Sequence, residues 1–193
     1  AGLGNYFRKY GIDASANLWL TEYVGTIVEP DRRGILLALA EVHQKRGQWR
    51  DAFDRLKKLY QRDGDDIGVR LSLAELLVED RGDTPACKQV VKLAEGVENE
   101  SPLHAALLLF KGKALAKLGL HTAARDALTA AFRRKKDRPD ELLREIQYQR
   151  ALVYEQLGRR KRSRQELEKI YAADPDFEDV AQRLGIGFGA NRQ

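Results

Sequence analysis

Apolar residues recur along most of the chain at intervals of three and four, the spacing that lines one face of an α-helix. Four stretches show it plainly: Phe53, Leu56, Leu59 and Tyr60; Val90, Val91, Leu93 and Ala94; Leu128, Ala131 and Phe132; and Leu167, Ile170 and Tyr171. Each follows a glycine, at Gly47, Gly82, Gly119 and Gly158, in the contexts KRGQW, DRGDT, KLGLH and QLGRR. Glycine there can take the left-handed conformation that ends a helix. Thr84-Pro85, Ser101-Pro102 and Asp174-Pro175 each set a capping oxygen before a proline suited to the first helical position. The chain therefore reads as helix, turn and helix, repeated, with no segment that alternates like a strand. Ahead of the first unit, ANLWLTEYVGTIVE, with Leu18, Trp19, Tyr23, Val24 and Ile27, is expected to form an amphipathic helix that caps the array. DFEDVAQRL at 176–184 is expected to close the other end, since an open end exposes a slice of core.

Small residues give the period. One column holds Ala40, Ala74, Gly112 and Ala151, spaced by 34, 38 and 39 residues, and a second holds Ala52, Ala86, Ala124 and Ser163 with the same spacings. Two antiparallel helices joined by a short turn approach closely only where a small side chain lets their backbones cross. Each column marks one side of that crossing. The extra residues must then lie between hairpins, near NESP at 99–102 and DRPD at 137–140. Gly82 stands one residue late against the 34-residue register.

With small residues, turn glycine, aromatic and late proline in these places, LALAEVHQKRGQWRDAFDRLKKLYQRDGDD and RALVYEQLGRRKRSRQELEKIYAADPDF resemble tetratricopeptide (TPR) repeats. Ala40, Gly47 and Ala52 match that motif, as do Ala151, Tyr154, Gly158 and Pro175; the second and third units are more degenerate. The resemblance implies an all-α fold, a right-handed superhelical solenoid of antiparallel helix hairpins with capping helices at both ends. On this basis residues 1–32 are an N-terminal segment and capping helix. The array spans 33–184, with units at 33–66, 68–99, 103–136 and 143–175 and a closing helix at 176–184. Residues 185–193, too poor in apolar surface to fold, form a flexible tail.

In the TPR family the inner faces of the first helices line a concave groove. Helical spacing from the small-residue columns sets Leu37 and Glu41, Leu71 and Glu75, Leu109, Phe110 and Lys113, and Tyr148 and Leu152 on that face, which makes them the candidate peptide-binding residues. The slots where chaperone-tail receptors of the family hold Lys, Asn and Arg for a C-terminal carboxylate here hold Leu37, Glu41, Ser72, Ala106 and Phe110. That departure argues against such a clamp.

Composition adds charge to this picture. Residues 1–100 carry 15 Lys and Arg against 17 Asp and Glu, and residues 101–193 carry 19 against 12, so the net charge of +5 belongs to the second half. Two basic runs concentrate it, RRKKDR at 133–138 and RRKRSR at 159–164. The first ends a helix, where positive charge offsets the helix dipole. The second, with Arg159, Arg160, Lys161, Arg162 and Arg164, sits on a turn and a helix start, where positive charge is unfavourable, and so is a candidate anion-binding patch. His43, His104 and His121 are scattered, and Cys87 is alone. No nucleophile context and no metal-ligand spacing appears. Neither enzyme activity nor a metal or cofactor is expected.

The function expected is a non-enzymatic scaffold that binds a peptide or partner helix in its groove. The alternative is a binder of nucleic acid, acidic protein or anionic membrane through the basic patch. A lone Cys and the lack of any run near 18 apolar residues fit a reducing, cytoplasmic compartment. Met is absent, which predicts that Ala1 was exposed by processing or excision and leaves room for an anchor upstream.

Overall fold

A computed structural model describes residues 9–11 and 14–186. Most of it is helical: α1 Arg32–Lys45, α2 Trp49–Arg62, α3 Ile67–Leu76, α4 Thr84–Leu93, α5 Pro102–Lys117, α6 His121–Phe132, α7 Asp140–Gln156, α8 Arg160–Ala173 and α9 Val180–Leu184. Four antiparallel hairpins result, α1 with α2, α3 with α4, α5 with α6 and α7 with α8. The second helix of each packs on the first helix of the next, and α9 packs on α8. This is the TPR-like helical-repeat solenoid that the resemblance implies.

The small-residue columns lie where the hairpin helices cross. Ala40, Ala52, Ala74, Ala86, Ala124 and Ala151 are all buried. At Gly112 the constraint is steric, because a Cβ there would come within 2.5 Å of Leu128 Cγ on α6. Ser163, the polar member of its column, is buried too and keeps its hydroxyl paired by donating to Glu155 Oε1 at 3.2 Å. The four turn glycines all have positive φ, from 57° at Gly82 to 75° at Gly119. Gly82 falls one residue late because α3 runs on through a π-helical turn, Leu77–Arg81, which absorbs the extra residue without breaking the helix.

Helix starts differ in detail from expectation. Asp83, not Thr84, caps α4 by accepting from Ala86 N at 2.8 Å. Ser101 precedes α5, but its hydroxyl pairs with His104 Nδ1 at 2.7 Å instead of capping. Asp174 ends α8 rather than starting a helix, and the closing helix begins at Val180.

The expected N-terminal capping helix is a β-hairpin. Strands β1 Ala16–Trp19 and β2 Gly25–Val28 pair antiparallel, with Leu18 opposite Thr26 and Trp19 opposite Gly25. The β-branched residues Val24, Thr26, Ile27 and Val28 favour this extended form. Thr21 makes the turn, its Oγ1 accepting from Tyr23 N at 3.1 Å and Val24 N at 3.2 Å, a local pairing that competes with helix. Alternation then sets Leu18, Thr26 and Val28 on one face and Trp19 and Ile27 on the other. Of the expected tail, residues 187–193 lie outside the described residues, as do 1–8, 12 and 13 of the N-terminal segment.

Candidate interaction groove

The first helices α1, α3, α5 and α7 present one face inward, and the structure divides the candidate peptide-binding residues on it into two groups. Leu37, Leu71, Leu109, Phe110 and Tyr148 are buried in the core. This corrects the expectation that they stand open as anchors: each first helix is packed on its own partner and on the neighbouring hairpins, which leaves these positions no solvent. Tyr148 serves the closing segment, with its hydroxyl donating to Asp179 Oδ1 at 2.6 Å and its ring edge-on to Phe177 at 5.8 Å. Leu152, half-buried, packs in the same cluster.

The polar members form a charged layer beside this core. Glu41 pairs with Lys45 at 3.2 Å, and Glu75 accepts from Gln44 Nε2 at 3.2 Å. Lys113 bridges Glu145 at 2.9 Å and Glu79 at 3.5 Å. Burial works against its charge, but these two carboxylates hold the ammonium above its ordinary pKa. Burial pushes the Glu75 carboxyl up to about 8; the Gln44 hydrogen bond opposes the rise, while Glu41, Glu79 and Glu22 add to it.

Glu22 reaches this group because the hairpin tip packs against the start of α3. Leu20, Thr21 and Val24 are buried, and Leu20 Cδ1 lies 3.3 Å from where a Cβ on Gly68, at the start of α3, would stand. Tyr23 packs on the main core. Its hydroxyl is held above its ordinary pKa by burial first, then by the carboxylates of Glu145 on α7, Glu22, Glu79 after α3, and Glu178. Tyr23 therefore stands among acids drawn from several repeats. The hairpin's outer face stays open, with Trp19 59% and Ile27 66% exposed. Sequence reasoning misplaces Trp19 and Ile27 on a helix and misses Glu79; the β-branched residues Val24, Thr26, Ile27 and Val28 are the available signal.

The basic runs differ in their local partners. In the first, Arg138 Nη2 donates to Asn99 Oδ1 at 2.9 Å and Lys135 lies 4.6 Å from the Phe132 ring. In the second, Arg159 occupies the capping position of α8 without a side-chain cap. Arg162 stacks 5.9 Å from Tyr154 and Arg164 pairs with Glu168 at 2.8 Å. Arg160 and Lys161 are exposed. Among the described residues no cluster of His, Cys, Asp or Glu is arranged to hold a metal, and no helix is long and apolar enough to cross a membrane.

Solved structures share this fold. A MamA structure aligns with TM-score 0.63 at 19% identity, covering 80% of this chain and 79% of that one. The thermophilic TPR protein TTC0263 of Thermus thermophilus aligns with TM-score 0.62 at 24% identity, covering 81% of each chain. No curated protein matches in sequence. The family model of the N-terminal domain of EccA1, a protein of the T7SS ESX-1 secretion system, matches residues 16–185, from the first strand through the closing helix. The chain belongs to the EccA1 N-terminal domain family.

Proposed function

We propose that this chain is a protein-interaction scaffold that takes a cationic, partly apolar peptide or partner helix in its concave groove, over the N-terminal hairpin. The observation that carries this is the composition of this face: Glu22, Glu41, Glu75 and Glu79, all at least partly exposed, outnumber Lys45 and Lys113, and Trp19 and Ile27 stand exposed on the hairpin. Apolar side chains supply the area and the acids supply the register and sign. The polar candidates Glu41, Glu75 and Lys113 stay in the site as its charged wall. Membership in a family named for a secretion-system protein supports a protein as the ligand. Selection from a displayed random-peptide library tests this. Enriched peptides should carry Lys or Arg beside large apolar residues, and Trp19→Ser with Ile27→Ser should lose them without lowering the melting temperature. Selected peptides of acidic or unbiased composition would refute it.

A second reading rests on the uncapped start of α8, where Arg159, Arg160, Lys161 and Arg162 gather without a side-chain cap. Such a cluster suits a phosphate-rich or acidic partner. Salt-sensitive retention on heparin, lost on reversing these four to Glu, is its measurement.

A further inference from the structure

Ile35, Leu39 and Val42 form a stripe along α1 and are 48%, 38% and 43% exposed. The repeat register assigns these positions a role. Stepping by the spacings of the small-residue columns, the same positions become Val69, Leu73 and Leu76 on α3, Leu107, Lys111 and Ala114 on α5, and Ile146, Arg150 and Val153 on α7. All but Lys111 are buried. A member of each set meets the second helix of the preceding hairpin. Leu76 lines a cleft with Trp49 and Phe53 of α2. Lys111 Nζ donates to Ala94 O at the end of α4 at 3.1 Å, and the Arg150 guanidinium lies 4.4 Å from the Phe132 ring of α6. On α1 this helix-packing face is uncovered among the described residues.

The ends of the stripe identify its occupant. Asp31 stands four residues before Ile35, and Arg46 stands four after Val42, both exposed. One helix face thus reads acid, Ile, Leu, Val, base, and turned end for end this pattern is complementary to itself. The geometry points to a second copy of this chain on this face, α1 against α1, antiparallel about a two-fold axis near Leu39. Leu39 then packs on Leu39, and each Asp31 faces the other copy's Arg46. Antiparallel helices also set their opposite end charges side by side. Head-to-tail stacking does not fit as well, because Val180 and Leu184 of α9 already cover the far end. One helix pair buries less than the roughly 1,000 Å² of a stable interface, so the dimer is reversible.

Sedimentation velocity of the full chain over rising concentration should show a monomer–dimer equilibrium. Leu39→Glu should hold the chain monomeric at an unchanged melting temperature, because the residue is exposed. Arg46→Glu sets an acid against Asp31 twice per dimer and should weaken association about tenfold. Adding Asp31→Asn, which retains a side chain able to cap α1 at Gly34 N, should recover most of that loss. Leu39→Cys should cross-link the dimer under mild oxidation, with Cys87 buried and out of reach. A chain that stays monomeric throughout overturns the proposal, as does a Leu39→Glu variant that dimerises like the unmodified chain. So do open-ended assemblies, which a closed two-fold contact cannot build.

Discussion

At the C-terminal end of the solenoid, Val180 and Leu184 close over Ala151, Leu167 and Ile170, and the Tyr148–Asp179 hydrogen bond ties that cover down. At the N-terminal end, the hairpin packs against the start of α3, and among the described residues the stacking face of α1 is uncovered. The repeat pattern is the same at both ends, and what differs is whether a following or preceding segment comes back to cover it. A solenoid's terminal faces thus keep interior chemistry, and their exposure is decided by neighbouring chain rather than by the repeat itself. The same residue type in the same register is core in one place and contact surface in the other.

The strongest way to break this comparison is to make one substitution at two equivalent positions. Leu107→Ala, fully buried on α5, should cost about 2–5 kcal/mol. Ile35→Ala, its register partner on α1, should change stability by no more than about 0.5 kcal/mol. Denaturant melts of the two variants at low protein concentration read the difference. Equal losses would mean that the α1 stripe is covered in solution even in the monomer.

Between these positions lies the helix crossing itself. Gly112→Ala drives a methyl group to 2.5 Å from Leu128 Cγ and should destabilise by roughly 1–3 kcal/mol, measured the same way. Removing the clashing carbon, in Gly112→Ala with Leu128→Ala, should recover part of the Gly112 loss when compared with Leu128→Ala alone. Absence of any recovery would show that the clash is relieved elsewhere along the hairpin.

The third test concerns the groove. Glu75 has a folded-state pKa of about 8 against a reference of 4.5, so the folded protein binds this proton more tightly than the unfolded chain does. Stability from this group is therefore greatest below about 4.5 and falls as pH rises towards about 8. Glu75→Gln should remove that slope and raise the melting temperature at about pH 8 while changing it little at about pH 4. A cationic ligand in the groove would expel the proton, so its affinity should rise with pH over the upper part of that window.

Much of this is legible in the residues. The paired columns from Ala40 to Ala151 and Ala52 to Ser163 locate the crossings, because a steric limit on side-chain size leaves its mark directly in sequence. The N-terminal hairpin escapes a helical reading because Leu18, Trp19, Tyr23, Val24 and Ile27 suit a helical wheel nearly as well as a strand, and the deciding facts are Thr21's turn and Leu20's seat against Gly68. On the face expected to line a groove, Leu37, Leu71, Leu109, Phe110 and Tyr148 are buried. Helical spacing gives a direction around an axis, and only the packed neighbours tell whether that direction meets solvent, as Phe110 and Glu75 illustrate from one inner face.

The smallest expected effect separates the two basic runs, and its sign carries the information. Arg160 and Lys161 open α8, which has no capping side chain, so their charges meet the positive end of the helix dipole. Changing both to Glu should stabilise by about 0.3–1 kcal/mol each at low ionic strength and by less as salt is added. General charge repulsion offers a rival explanation, since the chain carries a net charge of +5 and removing cations anywhere would relieve it. Arg133 distinguishes them. It ends α6, where positive charge meets the negative end of the dipole, so Arg133→Glu should destabilise by a similar amount. Opposite signs at the two sites would mean that position on the helix governs and that the α8 cluster is held against a local cost. Matching signs would assign both effects to net charge, and the uncapped start of α8 would then lose its claim as an anion site.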